Sequence, residues 1–152
     1  IADALARLAV VARSHGVEVW LESHGDFARA RDTLSALAGL GNDGLGVVWD
    51  PANAFEVGES PAEGLAVLGE RARHVHLKDV ARDPTGEGRG WVPRLPGEGE
   101  FLPERVLALL AARGYDRWVS FEWEKRWYPA LEEPEVALPH FARWASRALG
   151  LA

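Results

Sequence analysis

The chain contains no cysteine, no methionine and no long apolar run, and these absences narrow the class of protein. Without cysteine there are no disulfide bonds and no thiolate ligands, so any bound metal must be held by nitrogen and oxygen atoms. A cytoplasmic location is therefore the default expectation. No apolar run approaches the roughly 18 residues that a transmembrane helix needs, so we expect no membrane partner.

Positive charge is also scarce. The 17 Lys and Arg residues are outnumbered by 23 Asp and Glu residues, which gives a formal net charge of −6, and no basic stripe is visible. Nucleic-acid binding usually needs a cationic face, so we expect no nucleic-acid partner. The contents of 47% apolar and 26% charged residues are typical of a globular chain. Because methionine is missing even at position 1, where Ile1 already lies in a helix-like pattern, we expect a fragment of a longer protein or a processed chain.

Helical and strand-like segments alternate along the chain. Segments rich in β-branched and aromatic residues predict four strands: Val17–Ser23, Gly44–Pro51, Arg73–Val80 and Asp116–Glu124. Apolar residues at helical spacing predict helices at Ile1–Gly16, Asp26–Gly41, Ser60–Ala72, Leu102–Gly114 and Glu133–Leu151. Pro139 predicts a break or a late start in the last helix. Glycine and proline predict an irregular loop over Ala81–Glu100. The alternation predicts an α/β fold with a parallel sheet, in a single domain over residues 1–152.

Two architectures fit four parallel β/α units, an open doubly wound sheet and part of a (β/α)8 barrel. The glycine-rich G-x-G-x-x-G of dinucleotide-binding folds does not follow the first predicted strand. Polar residues do follow every predicted strand, which is where barrel enzymes keep their chemistry and where open sheets bind ligands. Strand position alone leaves both architectures open.

Each predicted strand offers one oxygen or imidazole ligand near its carboxyl end. These residues are Glu22, Asp50, His76 and Glu122. The ends of parallel strands are neighbours, and clustered carboxylates repel one another unless a cation lies between them. One imidazole with three carboxylates suits one divalent ion, such as Mn²⁺, Mg²⁺, Co²⁺ or Zn²⁺. Taken singly, each residue is more typical of a helix cap, a solvated loop or ordinary packing, and Glu124 is a competing ligand.

Three ionisable side chains share one face of the third predicted strand. His74, His76 and Lys78 alternate with Val75 and Leu77, and side chains two apart on a strand point the same way. If each strand supplies one ligand, His76 is the ligand. His74 then lies deeper, as a supporting or a packing residue, and Lys78 lies further out, toward a substrate.

Five stretches resemble the successive motifs of one family: LESHGDF, GVVWDPANAF, HVHLKDV, PGEGEF and GYDRWVSFEWE. In order and spacing they are similar to the sugar phosphate isomerase/epimerase superfamily, the xylose isomerase-like TIM barrel group. The resemblance implies that the chain corresponds to strands five to eight, the C-terminal half of the barrel, and that the four strand-end ligands bind its metal. Asn53 stands where the endonuclease branch has a further histidine ligand, so a three-zinc DNA-repair site is not expected.

The resemblance implies a divalent-metal-dependent isomerase or epimerase, acting on a sugar or sugar phosphate, that transfers a proton through an enediolate. Glu22 and Glu122 would act as the catalytic base and acid. The candidates for substrate binding are His24, Asn53, Lys78 and Arg82. For these four, the alternatives are solvated loop cations and local hydrogen bonds.

Other readings of the same scaffold stay open. One is a dehydratase of a cyclic polyol or of 3-dehydroshikimate, and another is an inactive fragment that still binds metal. Four β/α units leave two sheet edges unpaired, and exposed edges favour association. We therefore expect either self-association or a missing N-terminal half.

Overall fold

A computed structural model describes residues 1–41, 44–85 and 90–151. Within these ranges the α-helices are α1 (Ala2–Ser14), α2 (Ala30–Ala36), α3 (Pro51–Glu56), α4 (Pro61–Leu68), α5 (Glu104–Ala112) and α6 (Pro134–Ala148). The strands are β1 (Val19–Glu22), β2 (Leu45–Trp49), β3 (Ala72–Leu77), β4 (Asp79–Arg82), β5 (Trp91–Arg94) and β6 (Val119–Phe121). Short 3₁₀ helices cover Gly25–Phe27 and Gly69–Arg71.

Four of the strands form one sheet in the order β1-β2-β3-β6. β1 runs parallel to β2, with Glu22 beside Val48, and β2 runs parallel to β3. Beside β3, the backbone N–H of Glu122 donates to the Leu77 carbonyl at 3.0 Å. The prediction of an α/β fold built from parallel β/α units is confirmed.

The chain divides into two compact units. The first unit comprises Ile1–His76 with Arg117–Val119, and the second comprises Leu77–Asp116 with Ser120–Ala152. The assignment of residues 1–152 to a single domain stays a prediction.

In the first unit, β2 is buried along most of its length, and Trp49 at its carboxyl end is fully buried. Helix α4 approaches this strand closely at Gly64. A Cβ added to Gly64 would lie 3.3 Å from Trp49 Nε1 and 2.9 Å from Glu59 Oε1. Both distances are tighter than ordinary van der Waals contact, so the missing side chain of Gly64 is what allows α4 and β2 to come this near.

The start of α4 follows its sequence signals. Ser60 accepts a hydrogen bond from the backbone N–H of Glu63, and the Glu63 carboxylate accepts one from the backbone N–H of Ser60, which is a reciprocal capping box. Pro61 occupies the first helical position, where its missing N–H costs nothing. The prediction of this helix start is confirmed.

Helix α1 has two apolar faces. One is buried and carries Leu5 and Ala9. The other, which we call the exposed α1 stripe, consists of Ile1, the residue that precedes the helix, with Leu8 and Val11, which are 66%, 54% and 59% exposed. A spacing of seven and three residues puts these side chains on one face of the helix. The unit thus presents an apolar surface to solvent.

In the second unit, part of the predicted irregular loop is a hairpin, so that prediction was wrong. β4 pairs with β5 antiparallel, with Val80 beside Pro93 and Arg82 beside Trp91. β5 lies among the glycines and prolines of the predicted loop, and β4 extends from the predicted third strand into the first two residues of that loop. Pro93 is compatible with a strand because proline is tolerated at an edge, where its missing N–H breaks no inner ladder. Residues 86–89 of the predicted loop lie outside the described residues.

Three helix predictions also needed correction. Pro51 was expected only to end a strand, but it opens α3, since Asp50 caps that helix and proline suits the first position. The second helix is shorter than predicted and follows a 3₁₀ turn. α6 runs through Pro139 without a break or a late start. Its Phe141 ring stacks on Phe121 with centroids 4.5 Å apart, and such packing can outweigh the local cost of a proline.

Candidate metal centre

The first ligand pair lies at the ends of β1 and β3. Glu22 is the last residue of β1, and His76 is the penultimate residue of β3. His76 Nδ1 lies 3.2 Å from Glu22 Oε1. Both side chains are partly exposed, so they line a surface that a small ligand can reach.

Asp50 follows β2 directly and is fully buried. Its Oδ1 accepts hydrogen bonds from the backbone N–H groups of Ala52 at 2.9 Å and Asn53 at 3.1 Å, which caps α3. Its own backbone N–H donates to Ser23 Oγ at 2.7 Å. One carboxylate oxygen and the backbone N–H of Asp50 are therefore both held by the chain.

Glu22, Asp50 and His76 each offer a ligand atom, and these atoms lie within 4.8 Å of one another. Glu122, placed by the pairing of its backbone with Leu77, is the fourth member of the candidate metal-binding group. Three carboxylates and one imidazole form a donor set that suits Mg²⁺, Mn²⁺, Co²⁺ or Zn²⁺. The residues present thus fit a divalent ion.

Lys78 is not a solvated loop cation. Only 2% of the residue is exposed, and its Nζ lies 2.7 Å from Glu124 Oε1 and 3.3 Å from Glu122 Oε1. Glu124, the competing ligand candidate, is therefore paired with Lys78. A buried ammonium between two carboxylates holds both in place and offsets part of their mutual repulsion.

His74 lies beneath His76 on the same strand. The two rings meet edge to face with centroids 5.5 Å apart, and Trp20 packs on His74 at 6.1 Å. Burial lowers the pKa of His74, and the neighbouring charge of His76 lowers it further. Its position beneath His76, with Trp20 packed on it, fits a residue that supports the candidate ligand.

The remaining candidates for substrate binding differ in their surroundings. His24 is exposed and begins the 3₁₀ turn after β1. Asn53 is nearly buried, and its Nδ2 donates to the Ser23 carbonyl at 3.1 Å. Arg82 is exposed at the end of β4, with its guanidinium 4.1 Å from the ring centroid of Trp91. For all of them, substrate binding stays a prediction.

Sequence reasoning missed Ser23 and Asp79, both fully buried. Ser23 links the end of β1 to Asp50 and Asn53 through its hydroxyl and its carbonyl. Asp79 Oδ2 accepts the backbone N–H groups of Gly97 and Gly99, each at 2.9 Å. The hydrogen-bond partners of Ser23 and Asp79 cannot be read from a local sequence pattern. The glycine spacing in PGEGEF could, however, have indicated a close approach of the backbone.

The chain is thus a β/α protein whose parallel sheet carries a candidate metal-binding group at the carboxyl ends of its strands. The sequence profile described as "Xylose isomerase-like TIM barrel" matches residues 1–147, and the chain belongs to this family. Among the described residues, no helix is long and apolar enough to cross a membrane.

The similar proteins are about twice as long. An inosose dehydratase of Clostridium botulinum (strain Alaska E43 / Type E3) is 24% identical over 152 residues, which cover 91% of this chain and 49% of that protein. A xylose isomerase domain protein from Planctomyces limnophilus is 28% identical with a TM-score of 0.69, covering 96% of this chain and 49% of that one. An L-ribulose 3-epimerase structure gives a TM-score of 0.76 at 18% identity, covering 99% and 53%. The chain thus spans about half the length of the curated relatives it matches and has the β/α units of half a TIM barrel.

Proposed function

We propose that the chain carries the metal-binding half of a sugar isomerase or epimerase that moves a proton on a carbon next to a carbonyl. One observation carries the proposal, the candidate group of Glu22, Asp50, His76 and Glu122. When bound, a divalent metal acts as a Lewis acid on the carbonyl and neighbouring hydroxyl oxygens of a ketose. The similarity to a xylose isomerase domain protein and to an epimerase structure supports a sugar as the substrate.

In this proposal the two glutamates transfer the proton. One carboxylate takes the proton from the carbon, the bonding electrons pass into the carbonyl, and the other carboxyl group returns a proton to the resulting enediolate. Glu22 is held near His76, and Glu122 is held near Lys78, so each has a different cationic or polar neighbour.

A dehydratase is the second candidate, favoured by the inosose dehydratase relative. Removal of the proton next to a carbonyl is its first step too, and it differs because a hydroxide on the adjacent carbon then leaves as water. The same residues would serve, with one carboxyl group protonating the leaving hydroxyl. The products tell the two reactions apart, since only the dehydratase product has lost the mass of water.

Deuterium exchange tests the proposal. The chain would be incubated in deuterated water with Mn²⁺ and a panel of ketoses and inososes, and the sugars analysed by mass spectrometry. We expect one deuterium to enter a ketose, no incorporation with a chelator present, and a large loss with Glu122→Gln. Glu124→Gln is the matched control, because this glutamate lies next to the same lysine but outside the candidate group.

Three results would count against the isomerase or epimerase. Incorporation that survives chelation would contradict the metal-dependent step, and incorporation equal in Glu122→Gln and the parent would contradict the role of Glu122. Metal binding without incorporation into any ketose would favour the inactive fragment, and loss of water from an inosose would favour the dehydratase.

A further inference from the structure

Ser23 is a fully buried residue that directly follows Glu22 at the end of β1. Its backbone N–H donates to the Val48 carbonyl at 3.0 Å, and its hydroxyl accepts the backbone N–H of Asp50 at 2.7 Å. Its carbonyl accepts a hydrogen bond from Asn53 Nδ2 at 3.1 Å. The hydroxyl and carbonyl bonds together form what we call the Ser23–Asn53 link.

The link continues the pairing of β1 with β2 beyond the point where a regular ladder can. β2 ends at Trp49, and Asp50 then caps α3. The next N–H groups, those of Ala52 and Asn53, bond to the Asp50 carboxylate, so they cannot pair with a neighbouring strand. A hydroxyl and a side-chain amide therefore replace the missing ladder bonds. The Ser23 and Asn53 residues are 0% and 7% exposed, so water competes little for these bonds.

Two candidate ligands are connected through the link. Glu22 immediately precedes Ser23, and Asp50 bonds to Ser23 through its backbone N–H. The side chain of Glu22 is partly exposed and contacts His76, whereas Asp50 is fully buried. The link thus fixes the main chain next to Glu22 relative to a ligand that the chain already holds.

The contact made by Asn53 favours a positioning role over contact with a substrate. The residue is nearly buried, and its amide nitrogen already donates to the Ser23 carbonyl. A carbonyl oxygen can only accept a hydrogen bond, so the side chain at position 53 must supply a donor. An amide supplies one without adding charge next to the buried Asp50.

We propose that Asn53, acting through Ser23, is a positioning residue that fixes Glu22 relative to Asp50 and so prepares the candidate metal centre for a divalent ion. The proposal rests on the metal centre of the proposed function, and it gives Asn53 a role other than the substrate binding predicted from the sequence. Contacts that orient a metal ligand from outside the coordination shell typically change metal affinity by about 10- to 100-fold.

Mn²⁺ binding measured by calorimetry, at a temperature where each variant is folded, tests the proposal. Asn53→Ala should weaken binding by about tenfold, because the Ser23 carbonyl loses its donor. Ser23→Ala, which removes the other bond of the link, should also weaken binding by about tenfold. Thr33→Val is the matched control, since its buried hydroxyl donates to the Phe27 carbonyl at 2.6 Å in the same unit. This control should stay within about twofold of the parent.

The absorption spectrum of bound Co²⁺ separates positioning from a general loss of stability. Its bands depend on the coordination geometry, and a chain that is merely less stable keeps the parent spectrum once it is folded and saturated. We expect Asn53→Ala to change the spectrum and Thr33→Val to leave it unchanged. In the double variant of Ser23 and Asn53, the loss of Mn²⁺ affinity should be smaller than the product of the two single losses, because both residues hold the same link.

If Asn53→Ala does not fold, Ser23→Ala replaces it in both measurements. Ser23→Thr, which keeps the hydroxyl, should then bind Mn²⁺ more tightly than Ser23→Ala. Equal binding by these two variants would contradict the role of the hydroxyl.

The proposal is overturned if the parent binds no Mn²⁺, or if the variants of the link bind it within about twofold of the parent. A parent Co²⁺ spectrum in those variants, an equal loss in Thr33→Val, or single losses that multiply in the double variant would overturn it too. Failure here is distinguishable from failure of the proposed function. Variants that bind Mn²⁺ as the parent does refute the link alone, and a parent that binds Mn²⁺ without deuterium exchange refutes the reaction alone.

Discussion

Asp50 has two roles that can be separated by a pair of substitutions. Its Oδ1 caps α3 through the N–H groups of Ala52 and Asn53, and the same side chain belongs to the candidate metal-binding group. Asp50→Asn keeps an oxygen that can accept both hydrogen bonds but removes the negative charge. Asp50→Ala removes both. The first change should therefore impair metal binding alone, and the second should also destabilise the fold.

The lost helix cap determines how far Asp50→Ala lowers the melting temperature, and the lost metal site determines how much metal-dependent stabilisation both variants lack. Loss of an N-cap costs up to about 2 kcal/mol, and for a chain of this length 1 kcal/mol shifts Tm by roughly 2–4 °C. Without metal, Asp50→Ala should melt about 4–8 °C below the parent, with Asp50→Asn close to the parent. A metal present at 100 times its Kd stabilises the folded chain by about 2.7 kcal/mol, or roughly 5–11 °C. We expect this gain in the parent and not in either variant.

Thermal unfolding with a chelator and with added Mn²⁺ measures both effects in one experiment. The reasoning is refuted if Asp50→Asn gains as much from Mn²⁺ as the parent does, because Asp50 is then no ligand. It is equally refuted if the two variants melt at the same temperature in chelator, because the cap then contributes nothing.

Four further predictions follow from the same contacts. His76→Ala should abolish Mn²⁺ binding measured by calorimetry, and His74→Ala should only weaken it; the reverse order would mean that the ligand is misassigned. Lys78→Met should cost about 3 kcal/mol in urea unfolding without metal, because it leaves its glutamate partners without a cation, and an unchanged midpoint would contradict this. Hydrogen bonding with Ser60 lowers the pKa of Glu63 below its ordinary 4.5, so its contribution is present above that pH and lost as the pH falls. Glu63→Gln should therefore lower the urea midpoint at neutral pH, and the difference should shrink as the pH falls below 4.5; a difference that stays constant into acid would exclude the charge as its cause. Because of the exposed α1 stripe, gel filtration should show a mass above the 16.6 kDa monomer, and a clean monomer without apolar-dye binding would argue against association.

Elements with strong local signals were predictable from the sequence. The run of apolar residues in α1 and the Ser60–Pro61 start of α4 carry their information within a few residues, and both helices begin within one residue of their predicted starts, although α4 ends at Leu68 and the predicted end, Ala72, belongs to β3. The hairpin β4–β5 and helix α3 were not predicted. The hairpin strands are four residues each among glycines and prolines, and α3 begins at a proline that also ends a strand. Such short elements depend on contacts with residues far away along the chain, and a local sequence pattern does not show these contacts.

The candidate ligands were predictable because each is the polar residue at the carboxyl end of its strand, and parallel strands bring such ends together. The environment of Lys78 was not, since its partners Glu122 and Glu124 lie more than forty residues away along the chain. The same holds for Asp79, whose partners in segment 96–101 become adjacent only after the chain has folded back. Sequence position shows which side chains reach one end of a sheet, but not which of them pair there.

Gly64 affects the surroundings of the candidate metal centre without belonging to it. No ligand touches this glycine, yet it determines how near α4 comes to Trp49, and Trp49 directly precedes Asp50. A larger residue at this point would press on the Trp49 indole, which would have to give by a few tenths of an ångström next to Asp50, while all four candidate ligands stay in the sequence. An engineer could therefore use this position to tune metal selectivity, since Mg²⁺ tolerates far less departure from its ideal geometry than the larger Ca²⁺ does.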